Sequence, residues 1–326
     1  MKMIDRPQIV TPVAPEFEQF KEDLSTVLYS EAPLLQSAIE QVLRSNGKHI
    51  RPLLLLLTAK ACGNPTKITQ MAAVIIEVLH TTTLIHDDVV DETKQRRGVA
   101  SLNAVFDNRI AVLTGDYMLA GTILRAAETG NITIIKIIAK VCRELSEGEL
   151  MQIDNAEKHT VNEDDYLKMI NKKTASLFSA CSEIGAVSVN APIETIKKCH
   201  LFGKYLGYCF QIKDDIFDYY DDLNIGKPTG NDIREGKITL PLLYALKTAP
   251  EKESTHYMKI ITQQDFTPEN VSALIVFAKR HGGIEYAEKQ LKKYKQKANE
   301  IINNFPESEA RNGLLLLADY FTKRAN

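Results

Sequence analysis

The chain has 326 residues, 44% of them hydrophobic and 25% charged, which is ordinary soluble-protein composition and enough for one large core or two modest ones. Forty basic against forty-two acidic side chains, a formal charge of -2, exclude a polybasic nucleic-acid surface. Five scattered cysteines (Cys62, Cys142, Cys181, Cys199, Cys209) form no CxxC pair, so neither a disulfide framework nor a cysteine zinc site is expected, and reduced thiols suit a cytoplasmic location.

The opening residues, MKMIDRPQIV, carry an acid and a proline and lack the apolar core of a secretory signal. FEQFKEDLSTVLYS then sets Phe17, Phe20, Leu24, Val27 and Leu28 on one helical stripe. SNGKHIRP places Lys48 and Arg51 just before the leucine run 53–57, an apolar stretch too short to span a bilayer. Helical patterns are predicted at 34–43, 52–62, 68–91, 103–128, 132–156, 164–189, 193–220, 239–247, 271–279, 284–303 and 309–323. The isoleucine-rich start of 132–156 resembles a buried strand, but its length and continuation favour helix. Gly63-Asn64-Pro65, Gly98, Gly130 and Pro192 mark gaps, and no alternating strands with hairpin signals or solenoid repeats appear. The expectation is one all-α domain over 1–326, a multi-helix bundle around a central cavity, with 68–91 and 193–220 as its central helices. A division near the glycine-rich loop NIGKPTGNDIREGK is the alternative.

Two acidic triplets stand out. LIHDDVVDETKQRRG carries Asp87, Asp88 and Asp91, and FQIKDDIFDYYDD carries Asp214, Asp215 and Asp218. Both use the spacing i, i+1, i+4, which puts two carboxylates on one helix face a turn apart. Both end apolar helical runs, where unpaired acids repel one another and oppose the helix dipole. One such cluster is as well explained by a solvated face; two with the same spacing are not. A hard divalent cation relieves the repulsion, and Mg²⁺ in particular takes oxygen ligands and is completed by substrate phosphates.

Cations keep the same company: Arg96 and Arg97 after the first triplet, Lys227 and Lys237 after the second, Lys48 and Arg51 earlier, Lys172 and Lys173 in NKKTASLF. Carboxylates with arginine and lysine describe a polyphosphate site. GNDIREGKI is no P-loop, having five residues between its glycines and Ile after the lysine. HExxH, GxSxG and GxGxxG are absent. His80 and His86 are six apart, wrong for a zinc pair; His86 reads as a packing or orienting residue, and His80 as a donor to a second anionic ligand.

NGKHIRP, LIHDDVVDETKQRRG, GDYMLA, NKKTASL, FQIKDDIFD and GKPTGNDIREGKITLPLLYAL occur in the order found in the trans-isoprenyl diphosphate synthases, or polyprenyl synthetases, and the chain resembles that family over nearly its whole length. It departs at Asn46 and His49, where the family's GGKR has Gly and Arg. The resemblance implies the class I isoprenoid synthase fold, a homodimer packed through long helices such as 103–128, and prenyl transfer. An allylic diphosphate would be held through Mg²⁺ by Asp87, Asp91 and Asp214, three ions being expected with both substrates bound. Arg96, Lys173, Lys227 and Lys237 would contact its oxygens, with Asp88 and Asp215 in the same catalytic clusters. Isopentenyl diphosphate would lie on Lys48, Arg51, His80 and Arg97. Thr174 and Gln211 would flank the reacting carbons, and 223–236 would close as a lid.

The resemblance also implies a length rule. The tail grows past Thr83 and Thr82, four and five residues before Asp87, each about 1.5 Å of rise further down the helix. Threonine leaves room where an aromatic would block, so a medium or long product is expected, roughly seven to nine isoprene units. Leu79 and Ile138 are candidate floor residues; Ile75 and Ile76 read rather as core. A quinone side chain or lipid carrier would use such a product, reached at the membrane without a transmembrane segment. The rival readings are a short-chain geranylgeranyl synthase, a class I terpene cyclase and a non-catalytic regulatory subunit.

Overall fold

The helical stripes set the architecture. The computed structural model describes residues 6–44, 47–96, 98–159, 162–220 and 229–323. In chain order its elements begin with α1 (Arg6–Val10), α2 (Ala14–Thr26), α3 (Pro33–Leu43), α4 (Ile50–Cys62) and α5 (Lys67–Val90). A two-stranded hairpin follows, β1 (Gln95–Arg96) and β2 (Val99–Ala100), then α6 (Leu102–Val105), α7 (Asn108–Glu128) and α8 (Ile132–Glu157). Next come α9 (Glu163–Ile170), a π turn (Asn171–Ala175), α10 (Ser176–Ser188) and α11 (Ile193–Phe217). The chain closes with α12 (Asn231–Arg234), α13 (Leu240–Thr248), α14 (Glu251–Thr262), α15 (Pro268–Arg280), α16 (Gly283–Asn303) and α17 (Glu309–Lys323).

Caps explain several boundaries. Thr66 and Thr69 form a reciprocal capping box that starts α5. Asp107 accepts the Ile110 N–H and so starts α7, which splits the single helix expected over 103–128. Asn131 does the same for α8. The hairpin, unexpected from the sequence, pairs Gln95 with Ala100 and Arg96 with Val99, and Gly98 supplies its left-handed residue (φ 79°). Helix α14 lies outside the helical patterns of the sequence; only Ile261 of it is buried, so its apolar stripe is thin.

Buried side chains from α1 to α17 form one contiguous cluster. Its centre is α10, buried at every residue except Glu183 and packed on α4, α5, α8 and α11. The expected central helices α5 and α11 therefore lie against a third. Small residues permit this: a Cβ on Gly185 would meet the Leu55 carbonyl at 2.5 Å, and one on Gly203 of α11 would meet that of Phe178 at 2.3 Å. Leu53 to Leu57 of α4 are all buried, each stabilising the core by about 2 kcal/mol. By length and composition α5 and α7 are apolar enough to cross a membrane, but the α5 segment is 67% buried within the protein.

Candidate active site

At the end of α5 the three acids separate by role. Asp88 is buried and accepts from Arg96, with Nη2 and Nε at 2.5 and 2.6 Å from its Oδ1. Asn103 of α6 donates to the Asp88 carbonyl (3.1 Å), tying the end of α5 to α6. Asp87 and Asp91 stay available. Burial lifts the Asp87 carboxyl to about 6 against the pull of Lys173, with Glu149 and Asp91 adding to the rise. Asp91 caps the helix and is exposed.

At the end of α11 the same spacing is used differently. Asp215 is 2% exposed and accepts from the Tyr166 hydroxyl (2.6 Å) and the Gln211 amide (2.8 Å). Burial, then the Asp232 charge, push its carboxyl well up; burial and Asp218 do the same to Asp232. Asp218 accepts the backbone N–H groups of Asn231 (2.9 Å) and Asp232 (3.1 Å), so it shapes the turn into α12. Asp214 stands a turn before it, half-buried. Lys237 lies between the two helix ends. Burial pulls its ammonium down, yet Glu235, Asp91 and Asp232 outweigh that and hold it above its ordinary value.

The π turn supplies the third wall. Its extra residue carries Lys173 and Thr174 into the site, and π turns are frequent at functional positions. It fits between two glycines: a Cβ on Gly148 of α8 would lie 2.5 Å from the Lys173 nitrogen, and one on Gly207 of α11 would lie 2.4 Å from the Ala175 Cα. The Ser176 hydroxyl bonds the Lys172 carbonyl at 2.6 Å. Lys173 pairs with Glu149 (2.5 Å), whereas Lys172 pairs with Glu147 and so serves another face. Thr174 donates to the Gln211 carbonyl oxygen (2.8 Å), extending the chain of bonds to Asp215 and Tyr166.

Arg51 meets His80 at 2.9 Å and stacks on Phe178, its guanidinium carbon 4.9 Å from the ring centre. Lys48 lies in the segment leading to it. Arg97 and Lys227, expected at the two diphosphates, lie outside the described residues, as do 223–228 of the expected lid. His86 packs over Gly115 of α7 beside Asp116 (3.5 Å).

A cavity of about 190 Å³ opens at the acids, walled by Gln152, Tyr166, Lys173, Gln211, Asp215 and Lys237. A larger cavity, about 870 Å³, lies lower, between α2, α5 and α7, and is lined by Met71, Ile75, Val78 and Leu124 among others. Thr82 shares a stripe with Val78, Ile75 and Met71; it is 1% exposed, and its buried hydroxyl has no partner among the described residues. Thr83 donates to the His80 carbonyl. Leu79 and Ile138 are each 1% exposed.

Asp87, Asp91 and Asp214 offer oxygen alone, beside carboxylates whose mutual repulsion a hard divalent cation would relieve, so the donor set fits Mg²⁺. Among the described residues no three His, Cys, Asp or Glu side chains form a metal cluster by themselves. Spacing did not reveal Glu149, Tyr166, Asp232 or Gly148. Asp232 alone had a signal, standing in the loop between Lys227 and Lys237.

Residues 32–278 match the model of the polyprenyl synthetase family. The heptaprenyl diphosphate synthase component 2 of Bacillus subtilis is 34% identical over 95% of this chain and 88% of its own. The geranylgeranyl pyrophosphate synthase of Bacteroides thetaiotaomicron superposes with a TM-score of 0.85 at 40% identity, covering 98% and 99% of the two chains. A polyprenyl synthase from Caulobacter crescentus, solved with calcium and isoprenyl diphosphate, gives 0.91 at 29% identity over 99% of each. The chain therefore belongs to the polyprenyl synthetase family, with its all-α isoprenoid synthase fold and its prenyl-transfer chemistry.

Proposed function

We propose that this enzyme lengthens an allylic diphosphate, farnesyl or geranylgeranyl, by successive additions of isopentenyl diphosphate to an all-trans medium- or long-chain product. The observation that carries this reading is the meeting of the two aspartate-bearing helix ends around Lys173 and Lys237, beside the Thr174–Gln211 pair. Asp87, Asp91 and Asp214 would hold Mg²⁺, three ions with both substrates present, which when bound neutralises diphosphate charge as the allylic C–O bond breaks. Lys173 and Lys237 contact the leaving oxygens, and Arg96, steadied by Asp88, adds a fork on the same group. The Thr174 hydroxyl gives its hydrogen to Gln211, which leaves its lone pairs for the cation-like carbon. The isopentenyl double bond, its diphosphate held on Lys48, Arg51, His80 and Arg97, attacks that carbon. The departing diphosphate takes the proton that is lost.

The tail then runs past Thr82 and Thr83 toward the large cavity, with Ile75 acting at the cavity wall as well as in the core. The geranylgeranyl synthase likeness keeps a short product as the second reading. Leu113 (63% exposed), Leu124 (62%) and Ile123 (52%) give α7 an apolar face that suits a homodimer; the word "component" in the Bacillus relative's name makes a second kind of chain the competing occupant. Product would pass from the cytoplasm to membrane enzymes of quinone or carrier-lipid synthesis.

The purified chain, incubated with farnesyl diphosphate, labelled isopentenyl diphosphate and Mg²⁺, is expected to yield products of roughly seven to nine units. No label incorporation would favour a cyclase. Activity only with a second chain would favour a two-component enzyme, and a twenty-carbon end product the short-chain reading.

A further inference from the structure

We propose that His49 and Glu77 form a positioning pair that sets the isopentenyl diphosphate site, aiming Lys48 and Arg51 without touching substrate. The inference rests on the function proposed above. His49 immediately precedes α4 and holds a left-handed backbone (φ 47°, ψ 41°). A residue with a Cβ keeps that conformation only where its surroundings impose it.

Two contacts impose it here. The His49 Nδ1 lies 2.8 Å from the Glu77 Oε1, and its ring stands edge-on to Phe20 of α2 with centroids 5.4 Å apart. Glu77 is 4% exposed, in the middle of α5. An isolated carboxylate there would be costly, so each member of the pair holds the other. The second Glu77 oxygen has no hydrogen-bond partner among the described residues, so His49 is the side chain that meets that carboxylate.

The location gives the pair its purpose. Glu77 and His80 lie three apart on one face of α5, the same stripe that continues through Leu84 to Asp87 and Asp91. Glu77 holds His49 while His80 holds Arg51, so the segment 48–51 is fastened to α5 at two points. Cys181 of α10 lies within reach of both the Arg51 and the Glu77 charges, which places these two groups around one buried spot. The left-handed turn fixes where Lys48 leaves the chain and where α4 begins. Here the family motif has arginine; this chain uses an imidazole, shorter and with a single nitrogen on the acid.

The test is kinetic and calorimetric. Isopentenyl diphosphate is titrated alone into the wild type and into Glu77→Gln, His49→Asn and His49→Arg, with steady-state kinetics in parallel. Asn tolerates the left-handed conformation, so His49→Asn removes the pair without adding backbone strain; thermal melts confirm folding. Glu77→Gln and His49→Asn are expected to raise KM for isopentenyl diphosphate about tenfold, with kcat and the allylic KM within about twofold, the pattern of lost ground-state binding. His49→Arg is expected to keep the wild-type affinity. Unchanged isopentenyl affinity in both disrupting variants would overturn the inference, as would an equal loss in kcat and both KM values. A wild type that binds no isopentenyl diphosphate would overturn the proposed function first and this pair with it.

Discussion

The ends of α5 and α11 carry the same Asp-Asp-x-x-Asp spacing, yet their six carboxylates do different work. The middle acid is buried in both. Asp88 faces a cation, Arg96, while Asp215 faces neutral donors, Tyr166 and Gln211, and its carboxyl is pushed up by burial. The last acid differs as well: Asp91 is exposed toward Lys237, whereas Asp218 is spent on the backbone of α12. Equal spacing therefore picks out two helix ends, but not the task of each acid on them. Asp87 and Asp91 on the first end, and half-buried Asp214 on the second, are the acids we propose for the metal.

The sharpest way to break this comparison is to remove one proposed metal ligand from each end. Asp87→Asn and Asp214→Asn should each lower kcat about 10³-fold, since the charge neutralisation they support is worth several kcal/mol. Steady-state rates at saturating substrates and Mg²⁺ measure it. If only one variant loses activity, the two ends do not share one diphosphate. Next comes the wall between them. Gly148→Ala would drive a methyl against the Lys173 backbone, which belongs to a packed π turn and cannot rotate away. A displacement of about 1 Å there should cost up to roughly 10²-fold in kcat. The melting temperature of the same variant separates misplacement from unfolding.

A smaller effect sharpens the contrast between the two last acids. Asp218→Ala frees two backbone N–H groups and loosens the turn that presents Asp232 and Lys237, for a loss of about tenfold in rate. Raising Mg²⁺ should not restore it. Asp91→Ala should instead weaken apparent Mg²⁺ affinity and recover in part at high metal. Identical Mg²⁺ responses from the two variants would show that the last acids are equivalent after all.

Much of this is legible in the amino-acid sequence. Apolar stripes gave the long helices because each has one solvated side, and α16 and α17 follow them within a residue of the expected limits. The acids and most cations stand out in the sequence because a run of charge at the end of a greasy helix needs a reason. Three things stayed hidden. Helix α10 is buried all round, so SLFSACSEIGAVS shows no clear stripe to betray its central place. The π turn has no local signature; Gly148 and Gly207, far off in sequence, make room for it. Tyr166 and Glu149 reach the site through packing of α8 and α9, and no spacing rule joins them to Asp215 or Lys173.

The mildest prediction concerns protons. The Asp87 carboxyl rises from its ordinary 3.8 to about 6, chiefly through burial, and Asp215 and Asp232 rise with it. A carboxyl raised by folding binds its proton more tightly in the native state than in the unfolded one. Its contribution to stability is therefore full below pH 3.8 and fades as pH climbs through about 6. Surface acids with favourable partners, such as Glu147 beside Lys172 and Glu253 beside His281, act with the opposite sign, losing stability as pH falls. The difference between wild type and Asp87→Asn isolates the site. Without metal, the wild type should lose melting temperature relative to that variant between pH 4 and 7. With Mg²⁺ and pyrophosphate at pH 7 the order should reverse, because the ionised Asp87 then has a cation to face. In wild-type assays the Mg²⁺ needed for half activity should rise as pH drops below about 6. A metal requirement flat from pH 5 to 8 would place the titrating acid elsewhere and remove Asp87 from the clamp.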